Sequence, residues 1–134
     1  MPPDQMAAIH AASFTCPRPW SAAEITALLD SRFCFAISRD QGFLIGRCIT
    51  DEAELLTMAV APEARRGGLG ADLVAAFLRE ASTRGAAQAF LEVASDNPTA
   101  QRLYTRAGFA VTGQRPGYYA PGIDAVLMGI TLPA

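Results

Sequence analysis

Lysine is absent from this chain of 134 residues, so all 11 of its basic residues are arginine. Histidine and tryptophan occur once each, and aromatic residues make up only 8%. Thirteen acidic residues bring the net charge to -2, which leaves no basic footprint of the kind an electrostatic nucleic-acid binder carries. Charged residues are scarce at 18% and hydrophobic ones plentiful at 51%, a balance that excludes a disordered chain. Three cysteines (Cys16, Cys34 and Cys48) form an odd, widely spaced set with only His10 to assist them. They match no zinc pattern, no metal is expected, and they read as reduced thiols filling apolar space. No apolar run is long enough to cross a bilayer. The opening Met1-Pro-Pro-Asp-Gln-Met6 lacks the basic region of a secretory signal. These absences predict a soluble cytoplasmic protein, without nucleic acid or membrane as partner, and a monomer or weak dimer.

What is present reads as one domain over residues 1–134, long enough to bury roughly 68–70% of its unfolded surface. Met6, Ile9 and Phe14 suggest a short first helix. Ser21-Ala-Ala-Glu24 is a capping box, with Ile25, Leu28 and Leu29 following at helical spacing. Strands are expected over 32–38, 42–50 and 54–60, the last ended by Pro62. Gly67, Gly68 and Gly70 open an amphipathic helix, with Leu69, Leu73, Phe77 and Leu78 on one face, stopped by Gly85. A strand over 88–93 leads to Asn97-Pro98, a cap followed by proline at the first helical position. Gly108 ends that helix. Strands over 109–114 and 125–132 finish the chain, joined by a loop rich in Gly, Pro and Tyr. The order describes an α+β protein with a mixed sheet covered by helices.

Three places are candidates for chemistry. Val60-Ala-Pro-Glu-Ala-Arg65-Arg66-Gly67-Gly68-Leu69-Gly70-Ala71 runs from a strand through glycines into a helix. Unpaired amides and the positive end of the helix make such a turn a ready anion site, and Arg65 and Arg66 add charge. A plain tight turn fits the bare glycine cluster equally well. The ATP-binding loop is excluded, because no Gly-Lys-Ser/Thr follows. A dinucleotide fingerprint is excluded too, since Gly68-Leu-Gly70-Ala-Asp-Leu73 lacks the third glycine and no parallel strand is expected before it. Glu92, within Phe90-Leu91-Glu92-Val93, is an acid in an apolar strand. It is either a desolvated catalytic base or, the simpler reading, a strand-end carboxylate paired to an arginine or wetted by solvent. Asn97 and Tyr104 stand seven residues apart, about 10 Å along one side of a helix. They line a ligand groove or are simply a cap and a core tyrosine.

Taken together, these residues resemble the Gcn5-related N-acetyltransferase (GNAT) superfamily over nearly the whole chain. Arg65-x-x-Gly68-x-Gly70 is similar to its acetyl-coenzyme A pyrophosphate signature. Asn97 and Leu103-Tyr104-Thr-Arg-Ala-Gly108-Phe109 are similar to its second motif. Pro19-Trp20-Ser21, Glu54-Leu55-Leu56-Thr57-Met58-Ala59-Val60, Leu91-Glu92-Val93 and Tyr118-Tyr119 fit the RimI type, the bacterial group acetylating the N-terminal Ala of a small-subunit ribosomal protein. The resemblance implies a mostly antiparallel twisted sheet flanked by helices, without the family's usual first strand. It implies Glu92 as proton acceptor and Tyr104 as proton donor. It implies that backbone groups of Met58, Ala59 and Val60 hold the acetyl and pantetheine end, and that Arg65, Arg66, Gly67, Gly68, Leu69, Gly70 and Ala71 cradle the pyrophosphate. Asn97 would bind the pantetheine arm. Acetylation of a small amine or of another protein terminus, and a non-catalytic coenzyme A-binding module, are the rival expectations. Trp20 is expected to anchor the core, and His10 to be an ordinary helix residue.

Overall fold

In the computed structural model, residues 1–13, 19–65 and 67–133 are described; Phe14, Cys16 and Arg66 lie outside them. Helices α1 (Pro3–Ser13) and α2 (Ala22–Leu29) come first. The Ser21–Glu24 box forms as the sequence predicts: Glu24 N–H donates to the Ser21 hydroxyl, and Ser21 N–H to the Glu24 carboxylate. Three antiparallel strands follow, β1 (Cys34–Arg39), β2 (Gly42–Ile49) and β3 (Glu52–Val60). A single 3-10 turn at Pro62–Ala64 leads to α3 (Leu69–Thr83) and β4 (Gln88–Ala94). Then come α4 (Pro98–Arg106), β5 (Ala110–Ala120) and β6 (Ile123–Thr131).

The sheet order is β1-β2-β3-β4-β6-β5, and only β3 and β4 run parallel. Sequence reading expected no parallel strand before the glycine helix. In fact β3, α3 and β4 form one crossover unit, because α3 is long enough to return the chain to the strand end where it started. Among the described residues no strand precedes α1, so β1 is a sheet edge.

Side-chain alternation splits the core in two. Leu44, Leu55, Leu91, Val126 and Met128 face α3 and α4, meeting Leu73, Val74, Phe77 and Tyr104. Phe43, Ile45 and Ala59 face α1 and α2, meeting Met6, Ile9 and Ile25. Full burial of each large apolar side chain contributes roughly 1.5–3 kcal/mol. Gly46 permits the close packing of the first layer: a Cβ there would lie 2.6 Å from the Phe35 ring and 2.9 Å from that of Phe77.

The expected loop rich in Gly, Pro and Tyr is instead strand. β5 continues to Ala120, and the hairpin closes at Pro121-Gly122, where Gly122 has φ +79°. Pairing jumps from Arg115↔Ala125 to Ala120↔Ile123, so residues 116–119 bulge outward opposite Asp124 alone. The Asp124 carboxylate accepts from Gly117 N–H at 2.8 Å, satisfying an amide that the ladder no longer pairs. Glycine and proline signal a break in regular pairing, and here the break is a bulge.

Candidate active site

The central feature is a parting of strands. β3 and β4 pair over only four residues, ending at Leu55↔Leu91. At the same level β3 takes an extra residue against β2, since Ile45 pairs with Thr57 and Gly46 with Leu55. The bulge at Leu56 turns the rest of β3 away from β4. Met58, Ala59 and Val60 therefore line one side of a wedge, and Glu92 and Val93 the other.

Below the β3 end lies the start of α3. Gly68 is its N-cap with φ +81°, a left-handed conformation that glycine adopts without cost. Nothing lies within 4 Å of the place where its Cβ would sit. The first amides of α3 (Leu69, Gly70 and Ala71) have no carbonyl within the helix to bond, so they present partial positive charge. Gly70 serves another purpose: a Cβ there would meet Leu103 of α4 at 3.0 Å, so its absence lets the two helices approach. Arg65 Nε donates to the Val60 carbonyl at 3.3 Å, tying the loop to the strand end. Asp72 is held by Arg39 at 2.8 Å, which draws its negative charge away from the helix start.

Glu92 is neither fully desolvated nor alone. Its side chain is 29% exposed, and its Oε1 lies 3.5 Å from Nη1 of Arg115 on β5. The simpler sequence reading, a carboxylate paired to an arginine, describes this geometry. Arg115 also lies over the Tyr118 ring at 5.4 Å. Tyr104 is the opposite case, buried in the α4 layer and edge-on to Phe109 at 6.1 Å between centroids. Burial pushes its phenol far above the usual tyrosine range, and Tyr119 raises it further. The proton therefore stays on Tyr104 at any physiological pH. Glu92 and Tyr104 belong to opposite faces of the sheet, since Leu91 and Val93 share a layer with Tyr104 and Glu92 alternates with them. Asn97 caps α4 by accepting from Ala100 N–H at 3.1 Å. Among the described residues no three His, Cys, Asp or Glu side chains are grouped to hold a metal. Nor is any helix among them long and apolar enough to cross a membrane.

His10, expected to be an ordinary helix residue, is instead a buried link between elements. Its ring is buried, stacked on Trp20 at 5.3 Å, and its Nδ1 accepts from Trp20 N–H at 3.0 Å. The neutral ring then carries its proton on Nε2 and donates to Thr57 Oγ1 at 2.9 Å. His10 thus ties α1 to β3 at the residue beside Met58. Trp20 packs on the same core layer, as expected. Nothing in the spacing of His10 and Thr57 announces a bond across 47 residues; only a lone histidine on an apolar helix face hints at it.

A mixed sheet parting between its parallel strands, beside a helix that begins at glycine, is the architecture of an acyltransferase. The chain belongs to the acetyltransferase (GNAT) family, whose model matches residues 4–109. It is similar to the [ribosomal protein bS18]-alanine N-acetyltransferase of Escherichia coli K12, with 31% identity over 96% of this chain and 92% of that protein. It is 37% identical to the uncharacterized protein ML0378 of Mycobacterium leprae over 93% of this chain, which spans only 37% of that protein. Among solved structures, the ribosomal-protein-S18-alanine N-acetyltransferase from Escherichia coli superposes with a TM-score of 0.88 and 26% identity, over 98% of this chain and 88% of that one. The protein is an acetyltransferase, and its sheet is the family's mostly antiparallel one.

The glycine turn offers a direct check. Gly68→Asp should leave the fold standing, because Asp tolerates positive φ better than most residues and open space surrounds the position. It should abolish the rise in melting temperature that coenzyme A causes in the parent protein, by setting a carboxylate against phosphate. An undiminished rise would move the cofactor elsewhere. Gly70→Asp is the poorer probe, since Leu103 already occupies its space.

Proposed function

We propose that this enzyme transfers the acetyl group of acetyl-coenzyme A to the N-terminal alanine of a protein, a small-subunit ribosomal protein as in its named relatives, with residues 1–134 acting as one cytoplasmic domain. The observation that carries the reading is the wedge between β3 and β4, with Glu92 on one side and the start of α3 beneath it.

The α3 amides and the Arg65–Gly70 turn receive the pyrophosphate, with Arg66 adding its charge and Ala71 its amide. Asn97 and the backbone of Met58, Ala59 and Val60 hold the pantetheine and acetyl end. An acetyl thioester is already activated, so no metal enters the reaction. The enzyme has to supply a neutral amine and steady a tetrahedral oxyanion, and an amide near Ala59 or Val60 suits the second task. Glu92, directly or through water, takes the proton of the attacking amine. The departing thiolate resembles cysteine, with a pKa near 8.5, and the Tyr104 hydroxyl, which keeps its proton, donates a hydrogen bond that steadies it as it leaves. Approach of Glu92 and Tyr104 from opposite faces suits a thioester lying in the wedge between them.

The acceptor is tested with two peptides: one with a free N-terminal Ala, the other N-terminally blocked with an internal Lys. At pH 7 about a tenth of α-amines are neutral, against fewer than about one in 1,000 lysine amines. Coenzyme A release should be faster with the first peptide. Faster release with the second, or with a simple alkylamine, rejects a protein N-terminus as acceptor.

A further inference from the structure

Arg115 touches the candidate base, yet neither the cofactor turn nor the acid–base pair uses it. Its guanidinium is held from two sides, and its backbone is fixed as well. Nη1 lies 3.5 Å from Glu92 Oε1, and the ring of Tyr118 lies beneath it. The backbone that carries it ends in the bulge at residues 116–119, pinned by Asp124. Asp124 is pinned in turn, since its N–H donates to Ser95 Oγ at 2.8 Å and its carbonyl accepts from Ser95 N–H at 2.9 Å. The Glu92–Arg115 pair is long, monodentate and half exposed, with Arg115 at 53%. Such a pair is weak, so a ligand displaces it readily. What remains is a carboxylate and a guanidinium set side by side at the mouth of the wedge.

That arrangement matches a particular chemical group. From standard bond lengths, the α-nitrogen and the carbonyl oxygen of one amino acid lie roughly 2.7–3.6 Å apart. The Glu92–Arg115 separation falls in the same range. The polarity also matches, because an amine offers hydrogens to the carboxylate while a carbonyl oxygen accepts from the guanidinium. A lysine side-chain amine has no carbonyl within that reach.

We propose that Arg115 determines specificity for an α-amine, by donating a hydrogen bond to the carbonyl oxygen of the acceptor's first residue while Glu92 holds its nitrogen. This rests on the reading of Glu92 as base and of a protein N-terminus as acceptor. Arg115 binds substrate and leaves the proton transfer to Glu92. Its loss should therefore appear in KM and not in kcat. The stacked, forked guanidinium gives the contact its direction, which a flexible ammonium lacks.

The experiment compares a peptide beginning with free Ala and the same peptide whose first peptide bond is replaced by a trans alkene. The replacement keeps the amine and removes the carbonyl oxygen. In the parent enzyme the alkene peptide should lose roughly 10–100-fold in kcat/KM, the range for a hydrogen bond to a charged group. Arg115→Met should lose a similar factor on the normal peptide through KM, and its discrimination between the two should shrink by that same factor. The alkene also removes an N–H and makes the amine more basic, but both effects are the same in the two enzymes, so comparing the two ratios cancels them. Arg115→Gln reads the same ratio if the Met variant fails to fold. Persistence of the parent's discrimination in the variant overturns the proposal, as does an equal fall of kcat on both peptides, which would make Arg115 only a support for Glu92. A parent enzyme that ignores the Ala peptide and acetylates a simple alkylamine overturns the N-terminal reading itself, and Arg115 specificity with it. Good parent activity with an indifferent Arg115→Met removes Arg115 alone.

Discussion

Glu92→Gln should lower turnover by roughly 10²–10⁴-fold at pH 7, the usual range for loss of a general base, and leave coenzyme A binding intact. The amide keeps the size of the carboxylate but cannot accept a proton from the attacking amine. The deficit should shrink as pH rises past about 7.7–8.0, because an α-amine then arrives already neutral. Tyr104→Phe separates the other half of the mechanism. In the proposed mechanism it removes the donor to the leaving sulfur, a defect that raising the pH should not relieve. Its deficit should persist across the range in which that of Glu92→Gln fades. Since Glu92 is partly exposed and its partner Arg115 more so, the substitution should shift the melting temperature little. A Glu92→Gln enzyme with normal turnover at pH 7 takes Glu92 out of the mechanism. Lowered stability with an unaltered pH profile would make it structural.

The second large effect lies away from the chemistry. Between pH 7 and 4 the protein should lose about 3 kcal/mol of stability through His10 alone. Burial holds this imidazole at a pKa of about 4, below its ordinary 6.5, with Glu24 only partly offsetting the effect. In the unfolded chain His10 takes up a proton as pH falls through 6.5, while the folded protein keeps it neutral until about pH 4. The contribution is therefore complete above 6.5 and lost progressively below it. Protonation would also put a hydrogen on Nδ1, which now accepts from Trp20 N–H. Since total stability is typically 5–15 kcal/mol, that loss matters. Denaturant unfolding at several pH values measures it. His10→Gln should be less stable at pH 7 but should lose about 3 kcal/mol less on going to pH 4. Parallel pH curves for the two proteins would show that His10 does not titrate in this way. Because Thr57 lies next to Met58, acid loosening of α1 should also weaken coenzyme A binding before the protein unfolds.

Local chemistry explains which parts of the molecule are legible in the amino-acid order. The Ser21–Glu24 box, the amphipathic face of α3, and Asn97-Pro98 at the start of α4 all depend on neighbours within four residues, so sequence suffices to place them. The glycine turn and the apolar strand around Glu92 are local in the same sense, and they carried the family resemblance. The bulge at residues 116–119 has the sequence of a loop, because glycine and proline report broken pairing without saying whether the strand resumes.

Other features depend on register. The end of the β3–β4 pairing at Leu55↔Leu91 lies level with a one-residue insertion in β3 against β2, and no residue type marks it. Two roles for Gly68 and Gly70 emerge only once Leu103 is seen against one and open space around the other. His10 meets Thr57 across 47 residues, and Arg115 meets Glu92 across an intervening strand. Propensity, capping and periodicity act over a few residues, so the order of amino acids settled the elements and the kind of chemistry. Which side chain faces which across the sheet follows from strand register and layer packing, which the whole folded chain decides together.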